Sequence, residues 1–271
     1  MTICAYVTFG DDDSRDDERD LVIAAWRAAG IDGQAVRWDD PEADWSAFDA
    51  AVVRSVWDYL DRREEFLAWA RATAGVTRLL NPAAVLETNT DKAYLRELGV
   101  PTVPTHWSAD GMPQWSEYVV KPTVSAGARD TIRTTDRAVA QAHAQALEAS
   151  GRTPMVQPYL DMVEAEGETS LLYFNRTFSH AVRRNAMLAG GQSLADNSRA
   201  EPRTPADDQV ELAEKVLAAV QGELLYARVD LIRLPDGSPA LMELEVTEPY
   251  LFLRYAEGAA ANLARALTEL L

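Results

Sequence analysis

Acidic side chains face one another across the last predicted hairpin of this 271-residue chain. If the turn is centred on residues 236 and 237, Asp230 stands opposite Glu243, and Arg228 stands opposite Glu245. Because side chains alternate along a strand, all four lie on one face of the sheet. Directly opposed carboxylates repel each other, and a bound cation removes that repulsion. Oxygen ligands favour hard metal ions, so the cluster predicts a Mg²⁺ site, with Mn²⁺ as the second choice.

The same cluster also has a purely structural interpretation. The chain has 43 Asp and Glu residues against 26 Lys and Arg, so acidic residues can meet by chance on a solvated face. The register is an assumption as well, because a bulge would change the opposed pairs. On the other face this register predicts an apolar set for the core: Val229, Leu231, Met242 and Leu244.

Two lysines stand beside segments that could contact a ligand. Lys92 lies in the first turns of a helix predicted from Thr88 to Leu98, and Lys121 ends an apolar strand. Most lysines are solvated surface residues, but lysines are scarce here, and a compact ammonium group suits a phosphate oxygen. The segment from Pro122 to Ala128 is small and flexible, which suits a loop that approaches a ligand with its backbone amides.

Several other kinds of site do not fit the sequence. It has neither a Gly-x-x-x-x-Gly-Lys-Ser/Thr loop nor a Gly-x-Gly-x-x-Gly turn after a strand. The 3 His and 1 Cys are too few for a zinc site, and there is no Gly-x-Ser-x-Gly elbow of a serine hydrolase.

Charge and composition narrow the function further. The formal net charge of −17 repels phosphate backbones and anionic lipid surfaces, so neither nucleic acid nor a membrane is an expected partner. Cys4 lies in an apolar run, where a buried thiol is expected rather than a nucleophile. A single cysteine, the lack of an apolar span of about 18 residues and the lack of a basic-then-apolar leader predict a cytoplasmic protein.

The first third of the chain alternates strands with helices, which predicts a parallel sheet covered by helices. An acidic stretch from Asp11 to Asp20 is either a solvated loop or a source of negative charge at the start of the next helix. The predicted strands are Ile3 to Thr8, Gln34 to Trp38 and Ala50 to Arg54, and the predicted helices are Leu21 to Ala29 and Arg62 to Arg71.

The rest of the chain predicts a small α+β unit followed by antiparallel hairpins. The middle unit has strands Tyr118 to Lys121, Thr131 to Thr134 and Met155 to Tyr159, with a helix from Asp136 to Ala149. The last section has strands Ser170 to Phe174, Thr177 to Val182, Ala227 to Arg233 and Ala240 to Val246, with helices Ala206 to Val220 and Gly258 to Leu271. The stretch from Asn185 to Pro205 is long, polar and glycine-bearing, which is typical of a loop that is either functional or disordered.

A series of motifs runs through the chain in a fixed order. They are Lys92, Val120-Lys121-Pro122, Ser125-Ala126-Gly127, Val156 to Leu160, Gly167-Glu168, Arg228-Val229-Asp230 and Glu243-Leu244-Glu245. Together they resemble the ATP-grasp superfamily, which includes D-alanine–D-alanine ligase and glutathione synthetase. Three further segments resemble the branch containing D-cycloserine synthetase, the O-ureidoserine cyclo-ligase: Arg54 to Tyr59, Ser179 to Val182 and Glu248 to Leu253.

The resemblance implies an α/β (α+β) fold of ATP-grasp architecture, in which two α+β subdomains clamp ATP after an N-terminal parallel α/β lobe. The implied divisions are residues 1–87 for the preceding domain, 88–160 for the small nucleotide-clamping subdomain and 161–271 for the C-terminal subdomain with the metal-binding hairpin. Many relatives are dimers, so a homodimer is one candidate assembly, but the sequence shows no self-complementary surface and leaves the oligomeric state open.

The resemblance also implies a role for each motif. ATP phosphates would be held by Lys92 and Lys121, with the Ser125, Ala126 and Gly127 loop closing over them and Arg183 reaching them. Adenine would meet Gln157, Pro158, Tyr159 and Leu160, ribose would meet Glu168, and Mg²⁺ would meet Asp230, Glu243 and Glu245. Glu245 departs from the pattern, because many relatives have Asn there. The implied catalytic residues are Arg228, Lys121 and Ser125.

Contacts to the substrate are less determined. Arg54 ends a strand at the edge where parallel sheets bind ligands, so it either clamps a substrate carboxylate or is an ordinary loop arginine. The remaining candidates are Trp57, Tyr59, Arg184 and Glu248, of which the two aromatic residues also fit a packed core.

The implied activity is that of an ATP-dependent carboxylate–amine ligase. Such an enzyme forms a C–N bond through an acylphosphate and releases ADP and phosphate. The substrate would be a small amino-acid-like molecule, closed into a ring in antibiotic biosynthesis, and the alternative is an intermolecular amino-acid or dipeptide ligase. A non-catalytic nucleotide-binding regulatory module is the alternative of another class. Loops Thr123 to Ala128 and Asn185 to Pro205 would keep water from the acylphosphate.

Overall fold

In the computed structural model of this chain, the described residues form three β-sheets and their helices. The structure describes residues 2–10, 16–185 and 200–271. Residues 11–15 of the predicted acidic stretch and residues 186–199 of the predicted loop from Asn185 to Pro205 lie outside the described residues. The combination of one parallel sheet and two antiparallel sheets with helices confirms the predicted fold class.

The first sheet is parallel, as the alternation of strands and helices predicted. Its elements are β1 (Thr2–Thr8), α1 (Arg19–Ala28), β2 (Ile31–Arg37), β3 (Ala50–Ser55), α2 (Arg63–Ala74) and β4 (Arg78–Leu80). The strand order is β2-β1-β3-β4, and the short β4 was not predicted. Cys4 is fully buried in β1, and this burial raises the pKa of its thiol to about 12, as expected of an inert core cysteine.

Two short helices replace the single helix predicted from Thr88 to Leu98. Helix α3 (Ala83–Asn89) ends where that helix was expected to begin, and a 3₁₀ helix runs over Lys92–Arg96. Between them the Asp91 carboxylate accepts a hydrogen bond from the Ala93 N–H at 3.0 Å. An Asp side chain that bonds the backbone in this way competes with a continuous helix. The prediction of one helix here was therefore wrong.

The second sheet presents one face to a helix and leaves Lys121 on the other. Its elements are β5 (Tyr118–Pro122), β6 (Ile132–Thr134), α4 (Arg137–Ala149) and β7 (Pro154–Pro158), in the antiparallel order β6-β5-β7, followed by the short α5 (Met162–Ala165). Tyr118 and Val120 pack with α4 residues in one buried cluster. Because side chains alternate along a strand, Val119 and Lys121 lie on the opposite face of β5.

The third sheet is antiparallel and has the order β10-β9-β8-β11-β12. Its elements are β8 (Glu168–Phe174), β9 (Thr177–Arg184), β10 (Glu201–Pro202), α6 (Asp207–Ala219), β11 (Tyr226–Arg233), β12 (Pro239–Glu245) and the closing helix α7 (Ala259–Leu270). Asn175 and Arg176 join β8 to β9 with φ values of 45° and 59°. Two residues of positive φ are what a tight hairpin turn between twisted strands requires.

The last hairpin has the predicted charged pairs beside a bulge. The pairs are Arg228–Glu245, Val229–Leu244, Asp230–Glu243 and Leu231–Leu241. Met242 is the extra residue, and it packs beside Val103, Val163 and Ile232 instead of joining the Val229 and Leu244 cluster. Its assignment to that apolar set was therefore wrong.

Asn81 joins the end of the first sheet to the third. It is fully buried, and its Nδ2 donates to the Tyr226 carbonyl at 2.9 Å and the Val246 carbonyl at 2.7 Å. Its Oδ1 accepts from the Leu225 N–H at 2.7 Å. Asn89 contributes nearby, because its Oδ1 accepts from the Val246 N–H at 3.1 Å. These side chains fix the strand ends from which the charged hairpin face extends.

The divisions of the chain after residues 87 and 160 stay predictions. Across the described ranges, none of the helices is sufficiently long and apolar to span a bilayer.

Replacing Asn81 with Ala should lower the free energy of unfolding by about 3 kcal/mol, because buried backbone groups lose their partners. Urea unfolding measures this. The control is Asn262→Ala in α7, where the side chain accepts from Arg265 at 3.1 Å on an exposed surface, and the expected change is below about 0.5 kcal/mol. Equal small effects for both variants would contradict the assigned role of Asn81.

Candidate active site

A cavity of about 630 Å³ lies between the second and third sheets, with the residues after β3 along one side. Small-ligand sites usually measure about 300–1,000 Å³. Predicted site residues that line it are Trp57, Tyr59, Lys92, Lys121, Ser125, Ala126, Gly127, Gln157, Pro158, Tyr159, Leu160, Glu168, Arg184, Arg228, Asp230, Glu243, Glu245 and Glu248. Arg54 and Arg183 are not among the described lining residues.

Asp230 is the most tightly held carboxylate of the hairpin. It is buried, and its oxygens accept hydrogen bonds from the Ser170 hydroxyl at 2.6 Å and from Arg184 Nη2 at 2.7 Å. Arg228 donates to it through Nε and Nη2, each at 3.0 Å. Burial alone would raise the pKa of Asp230, but Arg184 and Arg228 bring that pKa below its ordinary value. Asp230 is therefore a fixed anion.

Arg184 connects Asp230 to a second buried carboxylate, that of Glu168. Its Nη2 lies 2.7 Å from an oxygen of each, and its Nε donates to the Ser170 hydroxyl at 2.9 Å. Burial raises the pKa of Glu168 even though Arg184 opposes this. The guanidinium predicted to contact substrate is thus a bridge between two carboxylates in the cavity wall.

Glu243 and Glu245 add further negative charge to this wall. Glu243 pairs with Lys92 Nζ at 3.0 Å, and Glu245 accepts a hydrogen bond from Arg228. Burial raises the pKa of Glu245 to about 7, with Glu243 and Asp230 adding to the effect and Arg228 opposing it. The crowding of carboxylates in this buried wall therefore disfavours the ionised form of Glu245.

The donor set of the hairpin suits a hard divalent cation. Asp230, Glu243 and Glu245 offer only carboxylate oxygens, which Mg²⁺ prefers and Mn²⁺ accepts. Over the described ranges, no group of three or more His, Cys, Asp or Glu side chains is already arranged around a metal position. Each of the three carboxylates contacts Lys92 or Arg228 instead. The ligand set fits the metal by its chemistry, and the assignment stays a prediction.

Lys92 is buried and held from two sides. Its backbone N–H donates to the Thr123 carbonyl at 3.0 Å, and its Nζ donates to the Ser125 carbonyl and pairs with Glu243. Burial would lower the pKa of Lys92, but Glu243, aided by Glu245, raises it above the ordinary lysine value. A permanent cation is therefore fixed beside the loop that follows β5.

Lys121 brings a second ammonium group to the cavity. Its backbone belongs to the β5 ladder, but in the described part of the chain its ammonium group makes no hydrogen bond or ion pair with another residue. Burial lowers the pKa of Lys121, and Lys92 adds to this effect. A desolvated ammonium without a partner is costly, and an anion bound in the cavity offsets that cost. The position is thus suited to an anionic ligand.

The loop between β5 and β6 exposes backbone to the cavity. Ser125 is buried, and its hydroxyl donates to the Pro122 carbonyl at 3.1 Å. Gly127 has φ of 58°, and a Cβ built there would meet no atom within 4 Å. Small residues in such open space let backbone N–H groups approach an anion closely.

An apolar slot lies beside the end of β7. The Tyr159 N–H donates to the Glu117 carbonyl at 3.0 Å, and the Arg133 guanidinium lies 3.4 Å from the centre of the Tyr159 ring. The apolar lining residues of the cavity include Val103, Val119, Val163, Ile232 and Met242. An apolar wall next to a strand end suits a flat heterocycle.

Residues after β3 and after β12 line another part of the cavity. Trp57 and Tyr59 both reach it, and the Tyr59 hydroxyl hydrogen-bonds Glu248. Burial raises the pKa of Glu248 to about 8, and Glu245 adds to the effect. This combination of aromatic and carboxyl groups suits a small polar substrate.

Several lining residues were not predicted. Asn89 and Thr90 stood in a polar pattern that was interpreted as a helix start, and Tyr250 stood in a segment quoted only for its resemblance. For the other lining residues, which include Leu60 and Thr131, the sequence gave no signal of a place in the site.

Arg54 and Arg183 make other contacts. Arg54 is buried, pairs with Glu18 at 3.4 Å and donates to the Pro249 carbonyl at 3.1 Å. Arg183 Nε donates to the Glu166 carbonyl at 2.7 Å. The sequence offered no signal for Glu18 beyond its place in the acidic stretch.

The sequence is similar to proteins of cycloserine biosynthesis. The family described as "D-cycloserine synthetase DcsG, N-terminal domain" matches residues 4–81. The cycloserine biosynthesis protein DcsG of Streptomyces lavendulae is 35% identical over 275 residues, an alignment that covers 92% of this chain and 92% of that protein.

Solved structures give the same answer about the fold. The crystal structure of D-cycloserine synthetase DcsG superposes with a TM-score of 0.90 and 34% identity, covering 99% of both chains. An ATP-grasp RimK domain protein from Sphaerobacter thermophilus DSM 20745 superposes with a TM-score of 0.69 and 16% identity, covering 100% of this chain and 99% of that one. The second likeness concerns the fold alone.

Asp230→Asn should lower the free energy of unfolding by about 3 kcal/mol, because Arg184 and Arg228 would stay buried without their shared anion. Glu243→Gln, at the more open end of the same face, should cost about 1 kcal/mol, the value of one net hydrogen bond. Urea unfolding of both variants measures whether the Asp230 variant loses more stability than the Glu243 variant. A larger loss for the Glu243 variant would show that Asp230 is not the centre of this network.

Proposed function

The chain belongs to the D-cycloserine synthetase branch of the ATP-grasp ligases, and we propose that it closes a ring within one small amino-acid-like molecule by ATP-dependent carboxylate–amine ligation. The observation that supports this best is the convergence of Lys92, Lys121 and the carboxylates of the β11–β12 hairpin on a single cavity. Because the related protein acts in cycloserine biosynthesis, we assign this enzyme to antibiotic biosynthesis. Its location in the cytoplasm and its homodimeric state stay predictions.

The chemistry of the cavity supports the proposal that it binds ATP. The apolar slot beside Gln157 to Leu160 suits adenine, and the Glu168 carboxylate suits the ribose hydroxyls. Lys92 and Lys121 suit the phosphates, because a lysine ammonium pairs with phosphate oxygen as a point charge. The backbone of Ser125 to Gly127 adds donors to the same group.

Metal binding is assigned to Asp230, Glu243 and Glu245. Mg²⁺ held by these carboxylates would neutralise phosphate oxygens, and Mn²⁺ is the second choice. Lys92 pairs with Glu243, and Arg228 pairs with Asp230 and Glu245, so both cations lie beside the proposed metal ligands and would face the phosphates together with them.

The first step activates the substrate carboxylate, which is a poor electrophile. Its oxygen takes the γ-phosphoryl group of ATP, giving an acylphosphate and ADP. Phosphoryl transfer needs positioning and charge neutralisation more than covalent help, and Lys92, Lys121 and Arg228 supply cationic groups around the cavity.

The second step closes the ring. A nitrogen of the same molecule attacks the acylphosphate carbon and gives up a proton as the new C–N bond forms, and phosphate leaves with the electron pair of its C–O bond. Trp57, Tyr59 and Glu248 are the proposed substrate contacts, and the loop from Thr123 to Ala128 is proposed to exclude water.

Phosphate release with Mg·ATP tests the proposal directly. The panel contains O-ureido-D-serine, its L-isomer and the common small amino acids, and products are identified by mass spectrometry. A cyclised product with ADP supports the proposal. A product joined from two molecules would make the enzyme an intermolecular ligase, and ATP binding without turnover across the panel would favour a regulatory module.

Glu243→Gln should reduce kcat at least 100-fold, because it removes a charged ligand from the phosphate side of the cavity. The control is Glu223→Gln, an exposed carboxylate that pairs with Arg78 outside the cavity. Unfolding curves of both variants check that a loss of turnover is not caused by a loss of folding. Wild-type turnover in a folded Glu243 variant would remove the metal assignment.

Lys121→Ala should raise the Kd for Mg·ATP roughly tenfold, the effect of losing one charge-assisted contact. Isothermal titration calorimetry measures this without turnover. Lys215→Ala is the matched control, since that lysine is exposed on α6 and lies 4.0 Å from Glu211. Equal affinities in the two variants would show that Lys121 does not bind the phosphates.

A further inference from the structure

The residues from Glu248 to Leu253, here called the 248–253 segment, run beside the cavity outside the strands and α-helices, and Leu253 begins a short 3₁₀ helix. Glu248 and Tyr250 line the cavity. Leu251 and Phe252 are fully buried in the core. Most of its backbone groups join neither a helix nor a strand, so they need other partners to hold one conformation.

Side chains from distant parts of the chain supply these partners. The Glu18 carboxylate accepts from the Leu251 N–H through one oxygen and from the Leu253 N–H through the other, both at 2.8 Å. Arg54 Nη1 donates to the Pro249 carbonyl at 3.1 Å. The remaining anchors are Arg228 on the Tyr250 carbonyl at 3.1 Å and His180 on the Leu251 carbonyl at 3.0 Å.

Glu18 and Arg54 also pair with each other, and both side chains are buried. They are 1% and 3% exposed, and Arg54 Nη2 lies 3.4 Å from Glu18 Oε2. Removing one member of a buried pair leaves the other charge without compensation. The pair therefore fixes the segment from both sides, with the carboxylate on the N–H groups and the guanidinium on a carbonyl.

The backbone of the segment carries an independent sign of constraint. Phe252 has φ of 52°, in the left-handed region that side chains larger than glycine rarely adopt. Such a conformation persists only where the surrounding contacts over-determine it. It lies between Leu251 and Leu253, the two residues whose N–H groups Glu18 holds.

We infer that the buried Glu18–Arg54 pair is a positioning device that holds Glu248 and Tyr250 in place for the amino-acid substrate. This inference rests on the proposed function. It gives Arg54 a different task from the carboxylate clamp expected from the sequence. The nucleotide contacts assigned to Lys92, Lys121 and Gln157 belong to other elements, so the pair should affect the two substrates differently.

The test is Glu18→Gln, which keeps the size of the side chain but loses the charge and one of the two acceptors. With O-ureido-D-serine as the probe, its KM should rise roughly tenfold, the effect of one charge-assisted hydrogen bond, while the KM for ATP stays within about twofold. A purely structural loss would instead lower activity with both KM values unchanged, or raise them together, and either result would overturn the inference.

Two further variants make the result independent of folding losses. Arg54→Lys keeps the charge beside Glu18 but cannot span both contacts, so it should show a smaller rise in the same KM. Arg78→Gln is the control, because Arg78 also joins the first sheet to the C-terminal part, pairing with Glu223 at 2.9 Å on the surface. It should leave both KM values unchanged.

Amide hydrogen exchange separates this inference from the proposed function. Glu18→Gln should increase exchange in peptides covering the 248–253 segment and not in those covering β11, whereas Arg78→Gln should change neither. If the wild-type enzyme does not turn over O-ureido-D-serine, the proposed substrate is wrong. Hydrogen exchange alone then tests whether the Glu18–Arg54 pair positions the segment. Unchanged exchange in the segment would overturn the positioning role.

Discussion

The pairing of unlike charges inside the third sheet is the constraint on which the site depends. Asp230 on β11 is gripped by Arg184 from β9, by Ser170 from β8 and by Arg228 from its own strand. A buried pair of this kind adds little stability over apolar packing, but breaking it is costly, so the side chains stay where the strand order puts them. The stiff wall that results can present Glu243 to a ligand without rearranging the core.

The charges that line the cavity bear on the form in which a nucleotide can bind there. The described lining carries five carboxylates and four cations: Glu168, Asp230, Glu243, Glu245 and Glu248 against Lys92, Lys121, Arg184 and Arg228. Burial raises the pKa of Glu245 to about 7 and that of Glu248 to about 8, so these two carboxyl groups are partly protonated near neutral pH. A nucleotide triphosphate that arrived alone would still bring several negative charges close to the carboxylates of this wall. A nucleotide that arrives with a divalent cation adds fewer negative charges, and the cation gives the carboxylates of β12 a partner of opposite charge. The acidic site and a Mg·ATP ligand are therefore consistent with each other.

Much of the site could be predicted because it depends on the spacing of residues within short segments, and the last hairpin is an example. The opposition of Asp230 to Glu243 was predicted from a two-residue turn, whereas the turn is one residue longer, with Leu234 N–H donating to the Ser238 carbonyl. The bulge at Met242 restores the predicted pairing at the charged end. Contacts between distant segments could not be predicted. Nothing local to Glu18 indicates that it meets Leu251, 233 residues away.

A crystal structure with Mg²⁺ and a non-hydrolysable ATP analogue would test the central claim most directly, because the claim concerns where one ligand lies. The account predicts adenine against Gln157 to Leu160, phosphates between Lys92 and Lys121, and a cation on Asp230, Glu243 and Glu245. A nucleotide bound outside this cavity, or phosphates held away from both lysines, would contradict it.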